Sequence, residues 1–258
     1  MEIIVPSTFA ADERDMKIRA VKYGFLARAA SIFGAEKITI FEDSDPHINT
    51  EKSSKLLAKY LRYAETPPYL RKKLIPFDKD LKYANILPAL QTESHGYSEM
   101  FREGYVEKVE NGKAIVEAGL KEKIDVYGDL EEGQRITVKM IGDREGTLVD
   151  SKNLDVYWTY EVDNTGEKLG EVLEKRDEKL VIGTSAHGND YREISLPEER
   201  NDFSVVFGCA WRGLPSLVER GDVKDSQFDH MLNLVPEQRT KTVRTEEAVL
   251  ICLSRIFR

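Results

Sequence analysis

The sequence predicts an α/β protein: a parallel sheet flanked by helices, interrupted by a small antiparallel β-barrel of the five-stranded OB type. Three observations predict it. Apolar runs and helical periods alternate at the start of the chain. Short alternating strands separated by glycine turns fill the middle, with no helical period among them. Apolar strands running into glycine-containing loops then return after Gly166.

Taken in order, "IIVPSTFA" reads as a buried strand and "KITIFED" at 37–43 as another. Between them Ile18, Val21, Phe25, Ala29 and Ile32 recur at helical spacing, which predicts a helix. "TEKSSKLLAKYLRYA" predicts a second helix, with Thr50 as its N-cap. From about position 96, "REGYVEKVENGKAIVEAGL", "KIDVYG" and "QRITVKMIG" read as hairpin strands, and "GTLVDSK" and "VYWTYEV" extend the run. The expected division is therefore an α/β domain from 1–96 and 163–258, with the barrel at 97–162. "KLVIGTSAHG", "DFSVVFGCAWRG" and "FDHMLNLVP" are three strand-to-loop steps. "TEEAVLICLSRIF" closes the chain as a helix, with Thr245 expected as N-cap and Glu246 and Glu247 complementing its positive end.

Composition narrows the classes. The chain has 258 residues, 41% hydrophobic and 33% charged, enough to bury roughly 70–75% of its unfolded surface. No run approaches the ~18 apolar residues of a membrane span, and "MEIIVPSTFA" lacks a signal-peptide pattern, so a cytoplasmic protein with no membrane partner is expected. Cys209 and Cys252 form no disulfide framework or zinc spacing and read as reduced core thiols. Net charge is −8, which argues against a nonspecific nucleic-acid coat. The stretch Arg14, Asp15, Lys17, Arg19, Lys22, Arg28 is locally basic, however, and suits RNA at one defined face as well as a solvated helix surface.

Motifs exclude much and leave three loops. There is no P-loop, no G-x-G-x-x-G after the first strand and no nucleophile elbow. His47, His95, His187 and His230 lack ligand spacing, so no metal site is expected. What remains are loops after three strands: Gly183–Gly188, Gly208–Gly213 and Asn233–Thr242. In open α/β sheets ligands sit beyond the carboxyl ends of strands. The two carboxylates at "RTEEAVL" disfavour a phosphate at that helix start and tolerate a cationic ligand better.

"VVFG…GL", "LNLVPEQRTKTVRTEEAVL" and "IGTSAHG" resemble the SPOUT superfamily of S-adenosylmethionine-dependent RNA methyltransferases, most closely its archaeal and eukaryotic branch with an inserted OB-like domain. The resemblance extends through "PPYLRKKLIP", "LKYANILPAL", "FREG" and "YWTYEV". It implies a C-terminal trefoil knot and a homodimer. It also implies an S-adenosylmethionine pocket including Thr184, His187, Gly208, Asn233 and Leu234. A side chain at Gly208 is expected to block that pocket with little loss of folding. The expected activity is methylation of a base nitrogen or ribose oxygen of rRNA or tRNA. Arg19 and Arg28 match arginines of the family's first helix, and Lys22 shares a side with Arg19; all three are RNA-contact candidates. The sequence departs from the family at His187, where relatives carry arginine. It departs again at Pro236, Glu237, Gln238 and Arg239, where a proline-glycine-glutamine-glycine turn is replaced. The rival reading is a non-catalytic RNA-binding or ribosome-associated module, whose barrel would stack bases on Tyr105, Tyr127, Tyr157 and Trp158. The apolar last helix "EAVLICLSRIF" is expected to be covered in part by a partner copy.

Overall fold

A computed structural model describes residues 1–176, 180–196, 203–209 and 212–257. It divides into two compact units. The first comprises 1–62, 80–88 and 160–258, and the second comprises 63–79 and 89–159.

The first unit is built on six parallel strands. They are β1 (Glu2–Pro6), β2 (Lys37–Glu42), β8 (Glu161–Lys168), β9 (Leu180–Asp190), β10 (Phe203–Val206) and β11 (His230–Asn233), in the order β11-β9-β10-β1-β2-β8. Every residue of β1 and β10 is buried, as a strand covered on both faces requires. One face is covered by α4 (Leu169–Glu174) and α5 (Leu214–Glu219). There Leu169, Val172, Leu173, Leu214 and Leu217 pack with Ile4, Phe41, Val181 and Val206. Each such aliphatic side chain stabilises the fold by roughly 1.5–3 kcal/mol on burial.

Burial of Glu2 at the head of β1 is the costly exception, at 1% exposure. Arg176 grips its carboxylate with Nε at 2.7 Å and a terminal nitrogen at 2.8 Å, and Thr39 also donates to it. Burial alone pushes this carboxyl up, but Arg176 and Thr39 outweigh it and hold it below the ordinary range.

Helix α1 (Met16–Ile32) connects β1 to β2 and is capped by the Asp15 carboxylate, which accepts the Lys17 N–H at 2.7 Å. Its buried face is Ala20, Tyr23, Gly24, Leu26, Ala27, Ala29 and Ala30. Only Ala29 of the apolar stripe read from the sequence belongs to it. Ile18, Phe25 and Ile32 are 47%, 43% and 54% exposed, a line at seven-residue spacing on the open side of the helix. Four alanines and a glycine let α1 pack closely around buried Tyr23 and Leu26, while Ile18, Phe25 and Ile32 face away.

Helix α2 (Thr50–Glu65) starts one residue after its cap: Asn49, not Thr50, accepts the Lys52 N–H at 2.8 Å. The last helix, α6 (Thr245–Ile256), packs on α1. Its cap is likewise displaced. The Glu247 carboxylate accepts the Arg244 N–H at 3.0 Å, while the Thr245 hydroxyl turns away from the helix.

The second unit holds the short helix α3 (Arg71–Leu74) and a closed five-stranded barrel. The barrel strands are β3 (Phe101–Glu110), β4 (Lys113–Glu117), β5 (Ile124–Tyr127), β6 (Arg135–Met140) and β7 (Glu145–Val149), in the order β3-β4-β5-β7-β6 with β6 returning to β3. Every second residue turns inward: Ala114, Val116 and Ala118; Ile124 and Val126; Ile136 and Val138. Two expectations need correction. The β5–β7 pair is parallel, so the barrel is not wholly antiparallel. The strand beginning at Glu161 pairs with β2 in the six-stranded sheet, with Val162 opposite Ile38, and does not extend the barrel run.

Trp158 is core in this unit, its indole N–H donating to Glu103 at 2.6 Å. Glu103 also accepts from Thr137 at 3.0 Å and from Arg135 at 2.6 Å. Arg135 in turn holds Glu65 through two bonds of 2.8 and 2.9 Å. Of the four stacking candidates, Tyr127 is exposed and Tyr105 and Tyr157 are half-buried.

Candidate functional site

The three loops expected to hold a ligand do converge. They line one cavity of about 420 Å³ beside the middle of β9 and beyond the carboxyl ends of β10 and β11, within the range typical of small-molecule sites. Thr184, His187, Gly208, Asn233 and Leu234 all face it.

Each loop has a distinct physical origin. In the first, Met231 pairs with Gly183 but Leu232 pairs with Asn189, so residues 184–188 are a bulge inside β9 and not a loop after it. Gly188 makes the bulge possible, since a Cβ there would lie 2.5 Å from the Met231 carbonyl oxygen. The second loop folds back so tightly that a Cβ on Gly208 would meet the Gly213 Cα and the Leu214 nitrogen at 3.0 Å. Arg212 anchors this loop between Asp45 and Asp43, the latter fixed by the Ser7 hydroxyl at 2.6 Å. Burial pushes the Asp43 carboxyl up against the opposing pull of Ser7, Thr8 and Arg212. In the third loop Glu237 occupies the left-handed region at φ +63°, the conformation a glycine would supply. A glutamate therefore takes a conformation that favours glycine, at a cost in strain.

The polar side chains named from the sequence mostly wire these loops together. Thr184 donates to the Val206 carbonyl at 2.9 Å and Asn233 to the Ala186 carbonyl at 3.0 Å, while the Asn233 side-chain oxygen accepts the Val235 N–H at 3.0 Å. Thr245 donates to the Gly208 carbonyl at 3.0 Å, which joins α6 to the second loop. Leu234 is buried, and His187 is exposed with its N–H bonded to Ser185 at 3.1 Å.

Sequence reasoning missed Thr245, Ala248 and Cys252, which line the cavity at i, i+3 and i+7 of α6; that helical spacing was readable. It also missed Glu219, the one carboxylate among the described lining residues, and Lys241. The floor is apolar, formed by Phe207, Cys209, Leu232, Val243 and Cys252, and burial raises the Cys252 thiol to about 12, so it stays protonated. An apolar floor suits a purine, the crowded glycines let backbone come close to a ligand, and Glu219 supplies the charge a sulfonium and an ammonium favour. The residues present fit S-adenosylmethionine.

The RNA-contact candidates on α1 fare differently. Lys22 is 7% exposed, with Glu246 at 3.3 Å, Asp12 at 3.8 Å and Glu13 at 3.9 Å, so it is an internal cation and not a surface one. Arg19 closes the loop after β1, donating to the carbonyls of Glu13 at 3.0 Å and Ala11 at 3.2 Å. Arg28 is half-buried. None of the three lines the cavity.

Among the described residues there is no cluster of histidine, cysteine, aspartate or glutamate able to hold a metal. No helix among them is long and apolar enough to cross a membrane.

Residues 1–256 match the model of a family described as "Putative RNA methyltransferase". An uncharacterized protein of Halobacterium salinarum is 32% identical over 98% of this chain and 97% of its own length. A 28S rRNA (uridine-N(3))-methyltransferase of Drosophila melanogaster is 32% identical over 99% of this chain and 61% of its own. The human protein of the same name is 28% identical over 99% and 77% respectively. Among solved structures, the SpoU methyltransferase AviRb from Streptomyces viridochromogenes, in complex with AdoMet, superposes with a TM-score of 0.40 at 8% identity, covering all of this chain and 56% of that one.

Glu237→Gly is expected to raise stability by about 0.5–1 kcal/mol. Relief of left-handed strain (about 1–2 kcal/mol) exceeds the entropy glycine adds to the unfolded chain (about 0.5–1 kcal/mol). Urea denaturation reads the change; an unaltered or lower midpoint would show that Glu237 is not strained.

Proposed function

The chain belongs to this RNA methyltransferase family, and from that premise we propose that it transfers a methyl group from S-adenosylmethionine to N3 of a uridine in ribosomal RNA. The observation that carries the donor half is the convergence of the β9 bulge, the loops after β10 and β11, and α6 on one apolar-floored cavity. The acceptor half rests on the two named relatives that align along nearly this whole chain. The bound donor supplies an activated methyl, so the protein's task is mostly positioning. The cross-bonded loops fix the cavity wall before the ligand arrives, and the apolar floor excludes water beneath it. Calorimetry with S-adenosylmethionine separates this reading from a non-catalytic module: binding supports the enzyme, and a folded chain that binds none contradicts it.

We also propose a homodimer. Helix α6 packs on α1, and the exposed line Ile18, Phe25 and Ile32 on α1, an apolar stripe that nothing among the described residues covers, supports it. Sedimentation at micromolar concentration should show about twice the 29.5 kDa chain mass. Phe25→Asp should return it to a single chain, and a wild-type monomer contradicts the proposal. A knotted C-terminus is proposed as well, supported by the Thr245 bond that brings the start of α6 to the loop after β10. A crystal structure tracing the C-terminal segment outside that loop contradicts it.

A further inference from the structure

The loop that shapes the cofactor cavity carries more positive charge than a cofactor with a sulfonium and an ammonium can use. Arg239 and Lys241 are both exposed, two residues apart, in the segment between β11 and α6, and Lys241 lines the mouth of the cavity. Neither side chain has an ion-pair partner among the described residues. Other cations of this unit lack one too, Arg14, Lys52 and Lys224 among them, but none of those three lines the cavity or lies on its third loop. Lys37, Lys168, Lys175, Arg176 and Arg192 are paired with Asp163, Asp222, Glu167, Glu2 and Asp190. In a chain of net charge −8, two unpaired cations at the rim of the reaction cavity are what a polyanionic ligand would meet first.

The loop is also held in shape. The Gln238 side-chain amide donates to the carbonyls of Thr240 at 3.1 Å and Lys241 at 3.3 Å, and the Gln238 N–H bonds to the Val235 carbonyl at 3.3 Å. The left-handed Glu237 sets the turn just before. Arg239 therefore projects from an ordered turn. Arg244 continues the line toward the loop after β1, where it meets Asp12 at 3.4 Å, and exposed Arg14 lies two residues beyond Asp12 in sequence. On α1, Lys22 is buried among carboxylates and Arg19 is bonded to the backbone, which leaves the C-terminal loop as the cationic segment beside the cavity.

We propose that Arg239 and Lys241 clamp RNA phosphates beside the acceptor nucleotide, holding the target strand at the mouth of the methyl-donor cavity. This rests on the RNA methyltransferase reading. Phosphate contacts position a nucleic acid without reading its bases, so the clamp contributes affinity and register and leaves base choice to other groups.

The test uses the full chain and a fluorescent, uridine-containing single-stranded oligoribonucleotide, with affinity measured by anisotropy across a potassium chloride series. Each lost phosphate contact should flatten the log-affinity against log-salt slope by about 0.7 for single strands. Arg239→Ala should show that loss once, and Arg239→Ala with Lys241→Ala about twice. Arg239→Lys, which keeps the charge, should restore the wild-type slope. S-adenosylmethionine affinity of Arg239→Ala, read by calorimetry, should stay within about twofold of wild type. An unchanged salt slope in Arg239→Ala overturns the clamp while leaving the methyltransferase reading standing. So does a fall in donor affinity, which would mean that Arg239 serves the cofactor carboxylate. A wild-type chain that binds donor but not RNA overturns both.

Discussion

Arg176→Leu is expected to destabilise the protein by about 3–5 kcal/mol, because it leaves Glu2 charged, 1% exposed and unpaired in the centre of the parallel sheet. Against the ~5–15 kcal/mol that separates folded from unfolded in ordinary proteins, that is a large fraction. The effect carries its own pH signature. In the wild type the Glu2 carboxyl is held below its ordinary value, so its stabilisation is complete above the unfolded value of 4.5 and is lost as pH falls through the folded one. Without Arg176, burial raises the carboxyl instead, and the variant suffers most where Glu2 must remain ionised. The stability gap should therefore be widest near neutrality and shrink below about pH 4. Chemical denaturation at pH 7 and pH 4 reads both numbers; a gap that does not shrink in acid would assign the loss to packing.

Gly208→Val is expected to lower S-adenosylmethionine affinity by about 10- to 100-fold, equivalent to about 1.4–2.7 kcal/mol. The structure corrects the expectation that folding would be spared. The added carbon meets backbone atoms of its own loop at 3.0–3.1 Å, and backbone cannot swing aside as a side chain can. Overpacking of this kind costs about 1–3 kcal/mol. Calorimetry on the folded fraction separates the two losses, and wild-type affinity in a folded Gly208→Val protein would remove this cavity from the site.

Much of this was readable from residues. The alternation of apolar runs and helical periods marked strands β1 and β2 and the helix between them. Three glycine- and proline-containing segments marked the cavity, although the first is a bulge inside β9 and not the loop after it that the sequence suggested. What escaped the sequence has physical causes. The stripe Ile18, Phe25, Ile32 has the spacing of a buried face, yet alanines and a glycine let the other side of α1 pack more closely, so periodicity chose the wrong side. Lys22 looks like any helix cation until Asp12, Glu13 and Glu246, the last more than 200 positions away, close around it. Thr50 and Thr245 have good capping chemistry, but capping depends on which residue leaves the helical region first, and neighbouring groups took both roles. The glycine missing at position 237 suggested a changed turn. The glutamate there nonetheless takes the left-handed conformation a glycine would.

Methyl transfer itself is the most direct test of this assignment. Purified protein incubated with S-adenosylmethionine carrying an isotopically labelled methyl and unmodified ribosomal RNA, followed by nucleoside mass spectrometry, should yield labelled N3-methyluridine. Label on a ribose oxygen would move the acceptor and leave the donor site intact. No label in any nucleoside, from a chain shown to bind the donor and the RNA, would contradict the assignment of this fold and cavity to RNA methylation.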